Sequence, residues 1–473
     1  MARMFTNACR LSGQPEAHRG SVLSISDVAG KDGSEARTEP TTLESFTIEI
    51  TRQGWIGPEP SHAKGDLCSH GDIRLVIGGC VIEPGDEEGE YTISTSALAL
   101  LRTLESDHSP ERPVAGKLVM HCGELLMLSC PIGIDWSVTH LPGAVRLSEV
   151  DRCDPMRPAA RFPGLAVDLA EDEYRRQVVA FAEEAKRPFE GIEKVFYDDV
   201  DRQDYEKFWR EYDARLRRAH WQLRIEDVPG EDRLRPLIDA LDVDGTEERL
   251  QAALAAETTD AGRAEVLTQL ARAQLFRGRL DVAQSLLDEA DRLAGETGVA
   301  RARVLLEGGR VVRRREGDRA ALPLLERACE EAVDAGQPFI AADAAHVCAL
   351  AGDRVSWTQR GLDIAERFEG AAYWKGTLLE NLGEWQYDCG EYESSLASFE
   401  ASLEAREQDG RNPELREYSR FGVARALRAL GRPREAVPLL EQAVAWMSAD
   451  GRDWPDGHLF REELTAARAD MSR

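Results

Sequence analysis

The chain has 473 residues, 42% of them hydrophobic and 31% charged, which suits a folded, soluble protein of two or more domains and excludes a disordered or membrane-spanning class. Its net charge of −27 is spread over both halves: residues 1–250 hold 30 basic against 47 acidic side chains, residues 251–473 hold 29 against 39. That balance argues against a general binder of nucleic acid or anionic membrane, because phosphate contacts need clustered Lys and Arg.

Nine cysteines, an odd and scattered set, fit reduced thiols better than a disulfide scaffold. No run of about 18 apolar residues occurs, and the first twenty residues lack an apolar signal core, so the expected location is cytoplasmic.

Residues 1–44 are rich in Ser, Gly, Thr and charge and predict a disordered leader. From Phe46 the texture becomes strand-like: FTIEI alternates, DIRLVIGGCVI is a β run, and KLVMHCGELLMLSCPIGIDWSVTH predicts two strands joined through Cys-Gly or Pro-Ile-Gly. Between them STSALALLRTLESDH has helical spacing, with Ser94 or Ser96 as its N-cap. Two amphipathic helices follow, EDEYRRQVVAFAEEAKRPFEGI and DRQDYEKFWREYDARLRRA. Residues 46–225 therefore predict an α+β domain, residues 226–245 with Pro229, Gly230 and Pro236 a linker, and residues 246–473 an all-helical domain.

Little in the first domain carries chemistry. The Gly pair of VIGGCVI lacks the Lys-Ser/Thr of a phosphate loop and predicts a bulge or close backbone approach instead. His62, Cys68, His70, His121 and Cys122 include zinc-ligand types, but not at paired-ligand spacing, so no metal or other cofactor is expected. Nucleophilic catalysis by Cys122 has no recognisable motif behind it. Asp198, Asp199, Asp201 and Asp204 suit a helix N-terminus, and the aromatics at 205, 208, 209 and 212 share one helical face that packing explains.

In the helical half one pattern recurs. Leu382-Gly383, Gly390, Tyr392, Ser395, Phe399 and Ser402 match Leu270-Ala271, Gly278, Leu280, Ala283, Leu287 and Ala290, and also Val423-Ala424, Gly431, Pro433, Ala436, Leu440 and Ala443. Weaker copies place Ala321, Leu325 and Ala328 after Gly309, and Thr358, Leu362 and Ala365 after His346. Anchors at 283, 321, 358, 395 and 436 are 38, 37, 37 and 41 residues apart, giving five copies. Small residues let paired helices approach, Leu or Phe fills the layer between them, and Gly278, Gly390 and Gly431 suit the turns.

This half resembles the tetratricopeptide repeat family, although its spacing exceeds the usual 34 residues and the third copy lacks the turn Gly. The resemblance implies an α-solenoid whose groove is lined by the first helix of each repeat. On that register Arg272, Arg310 and Arg425 are equivalent and Arg313 and Arg428 lie one turn further on, while Val347 and Glu384 interrupt the strip. The five arginines are thus expected to hold a protein or peptide partner that is acidic or presents a carboxylate.

The chain reads as a non-enzymatic interaction or scaffold protein. The alternatives are an immunity- or antitoxin-like inhibitor acting through the N-terminal domain, or an enzyme within residues 46–225.

Overall fold

A computed structural model describes residues 46–57, 60–85, 91–121, 132–153, 160–450, 454 and 456–471. The leader expected over residues 1–44, and Cys122 and Cys130 with the segment around them, lie outside these.

The first unit contains β1 (Phe46–Gly54), α1 (Pro60–Gly65), β2 (His70–Ile77), β3 (Cys80–Glu83), β4 (Tyr91–Thr92), α2 (Ile93–Thr103), β5 (Val119–Met120), β6 (Gly133–Leu141), β7 (Ala144–Cys153), β8 (Ala160–Arg161), β9 (Ala166–Ala170), α3 (Glu171–Lys186) and α4 (Asp199–Asp227). Two antiparallel sheets result, β1-β2-β3 with β4 on β2 and β5-β6-β7-β8 with β9 on β7. Alternation aims Phe46 and Ile48 of β1, Ile73, Leu75 and Ile77 of β2, and Trp136 and Val138 of β6 into one core, which Tyr174 and Phe181 of α3 and Phe208 and Tyr212 of α4 complete.

Two local expectations change. Gly78 and Gly79, with φ of 57° and 75°, form the two-residue turn of the β2–β3 hairpin, because a turn with both central residues at positive φ follows the strand twist; the register shift of this stretch lies beyond the turn, where Leu75 pairs with Glu83 and Val76 with Val81. Helix α2 starts after Thr92 rather than at Ser94 or Ser96. The Ser96 hydroxyl instead donates to the Thr92 carbonyl at 2.7 Å and accepts from the Met120 amide at 3.0 Å, tying the helix to β5.

From α5 (Val243–Ala256) onward the described elements are helical. They pair as α6 (Asp260–Phe276) with α7 (Leu280–Leu293), α8 (Val299–Glu316) with α9 (Asp318–Asp334), α10 (Pro338–Ala351) with α11 (Arg354–Arg367), α12 (Trp374–Asp388) with α13 (Tyr392–Asp409), and α14 (Pro413–Ala429) with α15 (Pro433–Asp450), followed by α16 (Gly457–Met471). The anchors Ala283, Ala321, Thr358, Ser395 and Ala436 each fall one turn into the second helix of a pair, and all are buried. A turn later Leu287, Leu325, Phe399 and Leu440 are buried too.

Small residues matter here by distance. A Cβ on Gly422 would lie 2.4 Å from the Phe399 ring, and one on Gly309 2.5 Å from the Leu325 side chain. Gly278, Gly390 and Gly431 turn between helices at φ of 72°, 80° and 74°, whereas the third pair turns through Gly352 with Asp353 capping α11 through its bond from the Ser356 amide.

Candidate functional site

The first helices α6, α8, α10, α12 and α14 pack against one another in sequence, so they share one face of the solenoid. Arg272 of α6 and Arg310 of α8 converge there on the same two acids. Arg272 donates to Asp343 at 3.0 Å and to Glu307 at 3.4 Å, while Arg310 donates to Glu307 at 2.5 Å and also to Asp343. Asp343 belongs to α10, so this cluster spans three repeats.

Glu307 and Asp343 are buried, with side-chain exposures of 1% and 6%, and the guanidinia hold the Asp343 carboxyl below its ordinary value against the opposing effect of burial. His346 lies one turn on, its Nδ1 accepting from Asn381 at 2.9 Å and its ring stacked on Trp374. Burial pushes this imidazole down to about 3; Asp343 opposes the shift and Arg310 and Arg272 reinforce it.

Arg425 and Arg428 form a second group. Arg425 donates to both Glu384 oxygens, at 2.8 and 3.1 Å, and its guanidinium stacks 4.3 Å over the Tyr387 ring and 5.4 Å over Phe421. Arg428 holds Glu463 and, at 3.3 Å, Asp470, both on α16. Arg313 adds its charge to those that push His346 down, and its Nε donates to Asp318 at 2.6 Å, just beyond the end of its own helix.

The expected arginine strip is therefore two clusters, and all five guanidinia hold carboxylates of this chain. The interruption at Glu384 is itself the partner of Arg425.

The sequence names residues 226–245 as a linker but not what they touch. Residues 228–238 lie along the beginnings of the first helices. Asp232 accepts from Arg303 of α8, Glu231 from Arg411 just before α14 at 2.9 Å, and Arg235 donates to the Tyr373 hydroxyl just before α12 at 3.0 Å. Leu234 is buried in one apolar cluster with Leu250 of α5, Ala264, Leu267 and Leu270 of α6 and Val304 of α8. Gly230 lies against Pro338, where an added Cβ would approach the ring to 2.5 Å. A signal existed in the sequence: Glu-Asp-Arg-Leu-Arg-Pro-Leu puts charge and apolar bulk together where a free tether would be uniformly polar.

In the first unit, Cys68 is buried and His70 Nε2 lies 3.2 Å from Asp66. Among the described residues no cluster of three or more His, Cys, Asp and Glu could hold a metal ion. The Asp198 carboxylate caps α4, accepting from the Val200 and Asp201 amides at 2.8 and 2.9 Å. Phe208 and Tyr212 face the core, as the packing reading expects.

Residues 359–447 match the family model of the tetratricopeptide repeat. That span covers most of α11, then α12 to α14, the helices that carry Glu384, Tyr387, Arg425 and Arg428, and part of α15. No curated protein matches the sequence. Solved structures similar to it include the apo form of RapI, at 15% identity over 55% of this chain and 72% of that one with a TM-score of 0.40. BtubC from P. vanneervenii matches at 15% identity over 48% and 95% with a TM-score of 0.34, and NprR in complex with its cognate peptide NprX at 13% over 62% and 77% with a TM-score of 0.33. At such identities and TM-scores these are likenesses only. Among the described residues no helix is long and apolar enough to cross a membrane.

Proposed function

We propose that this chain is a non-enzymatic interaction protein whose solenoid takes a partner protein or peptide on the face built by its first helices. The observation that carries the reading is the Arg425–Arg428 group, whose two arginines and Glu384 lie inside the matched repeats. Its carboxylates are less buried than Glu307 and Asp343: Glu384 is 20%, Glu463 14% and Asp470 33% exposed, and the half-buried rings of Tyr387 and Phe421 flank the Arg425 guanidinium. A guanidinium that reaches water beside aromatic rings is a common binding contact, and it can exchange an internal carboxylate for one presented by a partner. The partner chemistry that fits is an acidic segment or a C-terminal carboxylate. Tetratricopeptide-type repeats carry no built-in reaction, which is why binding is the role proposed.

The test is affinity purification of the intact protein from its own cells with cross-linking of what co-purifies. Cross-links on α12, α14 and α16 support the reading. Cross-links confined to residues 46–225 would overturn it in favour of an inhibitor acting through the first unit.

A further inference from the structure

Residues 228–238 are attached to the solenoid in the manner of a docked peptide. Their backbone hydrogen bonds run within the segment and to the end of α4: Glu231 to Val228, Arg235 to Asp232, Leu237 to Leu234 and Ile238 to Arg235, with Val228 bonded back to Arg224. The hold on the repeats comes mainly from side chains. Asp232 meets Arg303, Glu231 meets Arg411, Leu234 enters the α6–α8 socket, and Arg235 meets Tyr373.

These contacts form a reading frame, with two adjacent carboxylates on guanidinia of two different repeats and a leucine two residues later in an apolar socket. We propose that this segment is a built-in stand-in for a partner, so that the site formed by Arg303, Arg411, Tyr373 and the Leu234 socket takes an acidic peptide with the pattern carboxylate, carboxylate, any residue, leucine. Segment and partner then exclude one another.

Docking the segment desolvates its charges. Burial pushes the Glu231 carboxyl above its ordinary value although Arg411 and Arg224 pull the other way, so two guanidinia do not fully offset the loss of water. Glu231 and Asp232 are themselves buried on Arg411 and Arg303, so they leave only as a replacement sets its own carboxylates on those two guanidinia. The inference rests on the interaction role proposed above but concerns a different surface, at the beginnings of the first helices rather than at Arg425 and Arg428.

The experiment uses the full chain and a fluorescently labelled synthetic peptide, VPGEDRLRPLIDA, copied from residues 228–240. In the parent the internal copy occupies the site and anisotropy should show weak binding. In a Glu231→Lys, Asp232→Lys variant the internal copy is expelled, and binding should tighten at least about tenfold, since the competent fraction rises by that factor. Adding Arg303→Glu to that variant should remove the gain. Equal affinity of parent and double variant overturns the proposal.

Should the double variant fail to fold by circular dichroism, hydrogen exchange on the parent decides instead. Amides of residues 231–238 should exchange by local opening well before those of α6 and α8, and equal protection overturns the proposal. A partner that cross-links to α12, α14 and α16 yet leaves the labelled peptide undisturbed would sink this inference and leave the interaction role standing.

Discussion

The Arg272–Arg310 and Arg425–Arg428 clusters begin from the same place in the repeat, and their guanidinia are similarly exposed, at 25% and 15% in the first against 15% and 28% in the second. They differ in the acids they hold. Glu307 and Asp343 are at most 6% exposed and each serves two arginines, so neither can leave without stranding a buried charge. Glu384, Glu463 and Asp470 are 14–33% exposed, the first on Arg425 and the other two on Arg428. The first cluster is a structural lock between three repeats and the second is a set of exchangeable pairs. Between these two clusters it is thus the burial of the internal carboxylate, more than the exposure of the arginine, that differs.

The strongest way to break this contrast is to remove one acid from each cluster. Asp343→Ala leaves Arg272 and Arg310 short of a buried counter-charge and should cost on the order of 3–5 kcal/mol in urea unfolding. A loss below about 1 kcal/mol would show that the first cluster is as exchangeable as the second.

Phe399→Ala measures the packing beneath the second cluster, because this ring fills the space left by Gly383 and Gly422 and has no exposed surface. A cost of about 3–5 kcal/mol is expected, and an unchanged denaturant midpoint would mean that the helix pairs are in the wrong register.

The buried side of the contrast also has a pH signature. His346 is held neutral in the folded chain at a value near 3, whereas the unfolded chain takes up a proton below the ordinary value of 6.5. The folded pKa is depressed, so stability falls as pH falls from about 6.5 toward 3. Between pH 7 and pH 5 the loss from this group should be about 2 kcal/mol. His346→Gln should flatten the slope of thermal midpoint against pH by that amount, and parallel slopes would place the imidazole in water. The smallest effect is expected at the second cluster, where Glu463→Ala should cost no more than about 1 kcal/mol.

Much of the solenoid was legible in the sequence, because small residues at 283, 290, 395, 402, 436 and 443 and bulky ones at 287, 399 and 440 report helix contact directly through their spacing. The equivalence of Arg272, Arg310 and Arg425 could be read for the same reason. Their partners could not, since Arg272 reaches Asp343 across 71 residues and Arg411 reaches Glu231 across 180, and periodicity within one repeat says nothing about which acids neighbouring repeats bring. What the linker touches was not legible, because Pro229, Gly230 and Pro236 signal irregular backbone and say nothing about whether that backbone is docked.

The central claim is that partner capture depends on the exchangeable cluster. The most direct measurement is the affinity of the principal co-purifying partner for the parent and for an Arg425→Gln, Arg428→Gln variant, at low and at raised salt. Two charge-assisted contacts are at stake, so the variant should bind at least about a hundredfold more weakly, with little change in helicity and with less of the parent's salt dependence. Undiminished binding by a folded variant would contradict the claim.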